Sequence, residues 1–292
     1  MAPLAPTLQA PLEGALAGIV KEAKATARAR SSGPDEVDWI ENFHALVEAK
    51  LAGHMRAAVR GQHLSLSFRV DTALVHGQPF QVRPSWRYGE VPTVEIGDVL
   101  VVGEQHDKTE KLIERQGLLL QMKVGQPALR QYPKEGSTRQ AALFAEWPPF
   151  AWDHKSTSAG LPPPFPRTPA PRPCDAAQFG IIPTRPGGTF DALSLRPPRG
   201  STRPVFARTR PLVAEIARVI RLDLGVDATP DGSNGWPRIV QDMLDVAARK
   251  RFRYTARTPS VSRATQRHRA GGAWRRRFVV VVVALGPPGV FD

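Results

Sequence analysis

The chain has 292 residues, 41% hydrophobic and 23% charged, which suits a water-soluble globular protein with one large core or two modest ones. A lone cysteine, Cys174, excludes a disulfide framework and any cysteine-rich metal site, and it suits a reducing, cytoplasmic setting. No signal peptide is evident at the N-terminus. The longest apolar run, FVVVVVAL (278–285), is far shorter than the roughly 20 residues of a membrane helix, so no membrane partner is expected. The net charge of +13 is concentrated in residues 196–292, since charges almost balance over 1–195.

In chain order, residues 1–34 read as a flexible Ala/Pro-rich arm with a short helix near 11–29. Asp35 or Ser32 caps a helix over 36–59, in which Val37, Ile40, Phe43, Val47 and Leu51 form one apolar stripe. Glu41, His44 and Glu48 lie on a neighbouring stripe. Alternation of Leu64, Leu66, Phe68 and Val70 predicts a strand over 63–70, and 71–84 holds one or two more around a His-Gly-Gln-Pro turn. A strand over 92–102, a polar connection at 103–116 and a strand over 117–124 follow, the last two strands joined as a hairpin. Residues 137–150 suit a helix ending at Pro148.

Proline then crowds residues 155–209, which predicts an irregular segment. Helical spacing returns at 210–225 and 236–252, ahead of a basic stretch and the terminal strand. The expected organisation is therefore an arm (1–34), an α/β core (35–154), a proline-rich connection (155–209) and a basic helical region with a terminal strand (210–292).

From Val246 to Phe291 there is no acidic residue, while Arg249, Lys250, Arg251, Arg253, Arg275, Arg276 and Arg277 lie within that span. Such a field attracts polyanions, DNA being the leading candidate, although a GC-rich genome that favours arginine codons would also raise the arginine content. The helix pair at 210–252 is joined by a loop longer than a helix-turn-helix uses. Trp147 and Trp152 suit packing better than base stacking. His44, His54 and His76 match no metal-ligand spacing.

Two apolar strands carry polar residues that burial should exclude. In a regular pleat Asp98 shares a face with Ile96 and Leu100, and Gln121 and Lys123 share one with Leu119. A lone carboxylate there would cost several kcal/mol to bury, so Asp98 needs a partner. If the strands are neighbours, Asp98, Gln121 and Lys123 converge. The cluster then serves either as a structural ion pair or as a metal site beside an ammonium.

At these residues the chain resembles the PD-(D/E)XK nuclease superfamily. A Gly-Asp followed by Gln-x-Lys at the end of an apolar strand is similar to the Gln-x-Lys form of Mrr-type restriction endonucleases, over roughly residues 35–150. The resemblance implies a restriction-endonuclease-like mixed sheet flanked by helices, in α-β-β-β-α-β order. It implies catalytic roles for Asp98, Gln121 and Lys123, and a first-helix glutamate, Glu41 or Glu48, in the same site. Mg²⁺ or Mn²⁺ would be held by Asp98, Gln121 and the Met122 backbone carbonyl. Gly97 replaces the signature proline, and a bulge there would bring Glu95 to the metal as well. The implied activity is DNA phosphodiester hydrolysis in restriction, repair or defence, with a second copy of the chain as a further candidate partner. The alternative is a catalytically silent nucleic-acid-binding or protein-interaction module on the same fold.

Overall fold

The computed structural model describes residues 6–30, 33–76, 80–85, 93–125, 136–153, 176–196, 205–223, 226–233, 235–249, 253–254 and 277–291. The first helix is α1 (Gln9–Thr26), followed by a short ladder of β1 (Ala29–Arg30) and β2 (Gly33–Pro34). Next come α2 (Glu36–Leu46), a π-helical turn at Val47–Leu51 and α3 (Ala52–Gly61). The strands β3 (Ser67–His76), β4 (Gln81–Pro84), β5 (Val94–Glu95), β6 (Val99–His106) and β7 (Leu112–Val124) lead to α4 (Gly136–Glu146). After it lie β8 (Phe150–Trp152), β9 (Ala177–Ile182), β10 (Asp191–Arg196), β11 (Val205–Pro211) and α5 (Leu212–Ile220). The last elements are β12 (Val226–Asp227), α6 (Trp236–Arg249), β13 (Arg253–Tyr254) and β14 (Arg277–Gly286).

The architecture is mixed α/β. Among the described residues nine strands form the main sheet, in the order β11-β10-β9-β7-β6-β14-β3-β13, with β12 beside β7. Strand directions are mixed: β6 and β7 are antiparallel, while β7 with β9 and β6 with β14 are parallel. A small sheet, β5-β4-β8, stands apart from this path.

The main sheet is covered on both faces. Val99, Val101, Leu118, Leu120, Met122, Val279, Val281 and Val283 point to one side, where α1, α2, α3 and α5 pack. Leu100, Val102, Leu119, Val280 and Val282 point to the other, against α4, α6 and the small sheet. The five consecutive valines of β14 thus fill both layers, as β-branched side chains on a pleated surface do. Because α5 and α6 lie on opposite faces, they do not form a helix-turn-helix.

Several sequence expectations are corrected. The helix expected near 11–29 is present as α1, but it is no loose arm: its Leu12, Leu16, Ile19, Val20 and Ala23 are buried against α2, α3 and α5. The single helix expected over 36–59 is interrupted by the π-helical turn, and Val37, assigned to its apolar stripe, is 36% exposed. Trp39 is buried instead and stacks on Phe43 with ring centroids 5.1 Å apart. The polar connection at 103–116 is mostly strand, because β6 runs on to His106 and β7 begins at Leu112. Within the proline-rich span, β9, β10 and most of β11 are regular strands, whereas residues 155–175 lie outside the described residues. The terminal strand belongs to no separate region; it sits between β3 and β6. Trp147 and Trp152 are core residues, and the Trp152 indole N–H donates to Asp242 at 2.8 Å. The expected turn at 76–79 falls mainly outside the described residues. No helix among the described residues is long and apolar enough to cross a membrane.

One close approach fixes α5 on the sheet. A Cβ at Gly103 of β6 would sit 2.1 Å from the Val219 carbonyl oxygen. Gly103→Ala therefore forces helix and strand apart and should lower unfolding free energy by about 3 kcal/mol, read by urea denaturation. An unchanged midpoint would show that α5 does not bear on β6 there.

Candidate active site

The site begins where the chain changes sheets. Glu95 pairs with Gln81 of β4, and the Ile96 N–H donates to the Phe80 carbonyl at 2.9 Å, still on the small sheet. Two residues later the Asp98 N–H donates to the Leu120 carbonyl at 2.8 Å, and the Asp98 carbonyl accepts from Val279 at 2.8 Å. Gly97 is the pivot. A Cβ there would lie 2.8 Å from Leu119 Cδ1 and 3.2 Å from the Leu120 oxygen, so the crossing leaves no room for a side chain.

The crossing places Asp98 beside the end of β7. Since Val99 is paired with Leu120, Asp98 comes level with Gln121. Asp98 Oδ2 accepts the Met122 backbone N–H at 2.7 Å and a short hydrogen bond from Gln121 Nε2. Asp98 is 5% exposed and Gln121 is 1% exposed. Gln121 Oε1 is buried with no hydrogen-bond partner among the described residues. Lys123, one pleat further, donates from Nζ to Glu36 Oε1 at 2.9 Å, and both side chains reach solvent in part.

The charges explain one another. Burial pushes the Asp98 carboxyl well above the usual aspartate range; Lys123 opposes the shift, while Glu95 and Glu36 add to it. Burial also works against the Lys123 ammonium, but Asp98, Glu36 and Glu95 outweigh it and hold Lys123 above the ordinary lysine value. Three carboxylates thus act on one ammonium.

A hard divalent cation beside these carboxylates would give the orphaned Gln121 oxygen a partner. Among the described residues no three His, Cys, Asp or Glu side chains gather closely enough to hold one ion. An ion here would therefore draw on the Gln121 amide as well as on carboxylates. Met122 is seen as a donor, its N–H engaged by Asp98.

The sequence-predicted residues are thus partly brought together. Asp98, Gln121 and Lys123 converge, and Glu95 borders them closely enough to act on both charged members. The first-helix carboxylate that reaches Lys123 is Glu36, not Glu41 or Glu48. Glu48 lies twelve residues further along, about 18 Å at helical rise. Glu36 carried a readable signal: it stands four residues before Ile40 and seven before Phe43, an acidic residue heading the buried stripe. Asp35, as N-cap, accepts from Val37 N at 2.9 Å and Asp38 N at 3.2 Å, which fixes the helix start beside it.

Of the expected nucleic-acid contacts, Arg249, Arg253 and Arg277 are placed by their backbone in α6, β13 and β14. Lys250, Arg251, Arg275 and Arg276 lie outside the described residues. Comparison with protein-family models, curated protein sequences and solved structures finds no match.

Asp98 also sets a pH dependence. Its folded form favours the proton more than the unfolded chain does, so its contribution to stability is greatest in acid. That contribution is lost as pH rises from the ordinary aspartate range through the elevated folded value. At neutral pH, Asp98→Asn should melt at or above the wild-type temperature, with the advantage shrinking below about pH 4. Parallel melts of both proteins across pH check this, and an Asp98→Asn protein markedly less stable at neutral pH would contradict it.

Proposed function

We propose that this chain is a divalent-cation-dependent hydrolase of DNA phosphodiester bonds, of the kind used in restriction, repair or defence. The observation that carries the reading is the meeting of Asp98, just ahead of β6, with Gln121 and Lys123 of β7 and Glu36 of α2. Apart from the small-sheet strands β4, β5 and β8, which intervene, the order α2–α3, β3, β6, β7, α4, β9 supports it, since this is the α-β-β-β-α-β order of the PD-(D/E)XK superfamily that the motif resembles. Two features depart from that pattern: β14 separates β3 from β6, and Gly97 stands where the signature has proline.

Mg²⁺ or Mn²⁺ would be held by the Asp98 carboxylate and Gln121 Oε1, with Glu36 and Glu95 adding negative charge around it. Once bound, such an ion supplies Lewis-acid polarisation of a phosphate oxygen. Lys123, held above the ordinary lysine value, keeps its proton at neutral pH and is a poor general base. Its part is electrostatic: the ammonium stabilises the charge that grows on the phosphoryl oxygens. To reach the phosphate it must exchange its Glu36 partner for substrate.

The basic region fits the same reading. Val279 of β14 pairs with Val99 and donates to the Asp98 carbonyl, and Arg277 opens the same strand two residues earlier. The arginine-dense stretch of sequence therefore joins the sheet one strand away from Asp98.

A second reading, a catalytically silent binding module, is favoured by the depth at which Asp98 and Gln121 are buried and by the Glu36 contact that occupies Lys123. Cleavage of supercoiled plasmid with Mg²⁺ or Mn²⁺ separates the two. The wild type should nick DNA, and Asp98→Ala and Lys123→Ala should each lose about 100-fold or more. Equal nicking by all three proteins would place the activity elsewhere, and salt-sensitive binding without nicking would favour the silent module.

Binding itself is checked by the salt dependence of DNA affinity. Replacing Arg275, Arg276 and Arg277 by alanine should flatten the log–log slope by roughly 0.9 for each phosphate that is no longer neutralised. An unchanged slope would show that these arginines touch no phosphate.

A further inference from the structure

The opposite end of β6 holds a second polar group, unrelated to Asp98. Glu104 is buried; its Oε1 accepts Arg115 Nε and a second guanidinium nitrogen at 2.8 Å each. Its Oε2 lies 2.9 Å from His106 Nε2. The other ring nitrogen, His106 Nδ1, lies 2.9 Å from the Glu110 backbone carbonyl across the β6–β7 turn. The ring is only 11% exposed, so water hardly intervenes.

Both partners of this ring are acceptors. A carbonyl oxygen has no proton to give, and Glu104, ion-paired with the Arg115 guanidinium, meets the ring through a carboxylate oxygen. A neutral imidazole offers a single N–H, so one of the two contacts would set lone pair against lone pair. Only the imidazolium donates to both.

The ring also bears on the end of the described chain. Phe291 meets His106 edge-on with ring centroids 5.3 Å apart, and the Arg69 guanidinium lies 5.2 Å from the Phe291 centroid. Arg69 Nε in turn donates to Asp71 at 2.7 Å. Ser67 Oγ donates to the Pro287 carbonyl and accepts from the Phe291 N–H, which brings the segment back over the sheet. The charged groups around His106 are therefore Glu104 on β6, Arg115 on β7, and Arg69 and Asp71 on β3. The Asp107 carboxylate is turned back into its own turn, where it accepts from Thr109 and Lys111.

We propose that His106 is a proton-operated clasp. Its imidazolium ties the β6–β7 turn to Glu104 and gives segment 287–291 a surface to rest on. Loss of one ring proton turns a hydrogen bond into a repulsion, so the ring leaves and Phe291 loses its neighbour. The clasp is closed at low pH and opens as pH rises, since the proton is needed in the closed state and not in the open one.

NMR of the histidine ring nitrogens and of the Phe291 ring, followed over about pH 5 to 8, tests this on the wild-type protein. At the acidic end both His106 nitrogens should carry protons. The Phe291 resonances should then shift in step with loss of the second proton. In His106→Gln, which has no second proton to lose, the Phe291 resonances should not move with pH. A neutral, single-tautomer His106 at the acidic end, or Phe291 resonances indifferent to His106 titration, would overturn the proposal.

Discussion

A sheet covered by helices on one side and by helices and a second sheet on the other offers no solvent-facing surface along its middle strands. Everything else in this fold answers to that constraint. It accounts for β14, whose valines alternate between two apolar layers without a polar residue among them. It also makes the few polar side chains of β6 and β7 informative, because each must be matched by a partner or by a ligand. Asp98, Gln121 and Lys123 gather at one end of these strands, and Glu104, His106 and Arg115 at the other.

The two groups meet the demand differently. At the Glu104 end, carboxylate, guanidinium and imidazole satisfy one another, and the Arg115 guanidinium continues to Gln241 and from there to Asp245. Such a closed network holds strands in register and specifies which helix packs above them. At the Asp98 end the matching is incomplete: the Gln121 amide oxygen has no partner among the described residues. Incomplete matching inside a well-packed core is the kind of local exception that functional sites show.

Much of this was legible in the sequence where a short-range pattern carried it. Alternation put Gln121 and Lys123 on one side of their strand, because a pleat needs only its own residues to set which side each one faces; the pairing of Val99 with Leu120 then brings Asp98 beside Gln121. Other parts were hidden by competing signals. Alanine and proline gave residues 1–34 the look of an arm, although Leu12, Leu16, Ile19 and Ala23 recur at helical steps. Proline density masked β9 and β10, whose own residues, AQFGII and DALSLR, contain none. Polar residues at 103–116 suggested a loop, whereas Glu104 and Arg115 are polar because they bond each other across the hairpin. Glu36 could be read locally as the acidic head of the buried stripe, but its meeting with Lys123, which Glu41 and Glu48 do not share, depends on where α2 begins relative to β7, a long-range fact. The insertion of β14 between β3 and β6 is of the same kind.

That insertion bears on how the molecule is made. The partners of β14 lie far back along the chain; Gln105, for example, faces Leu285, roughly 180 positions later. While the nascent polypeptide leaves the ribosome, β3 and β6 are exposed long before the strand that belongs between them exists. Two long apolar edges must stay apart, or be shielded by a chaperone, until that strand arrives. Assembly of this sheet is therefore concluded from the inside, by a strand that follows both of its neighbours in the chain.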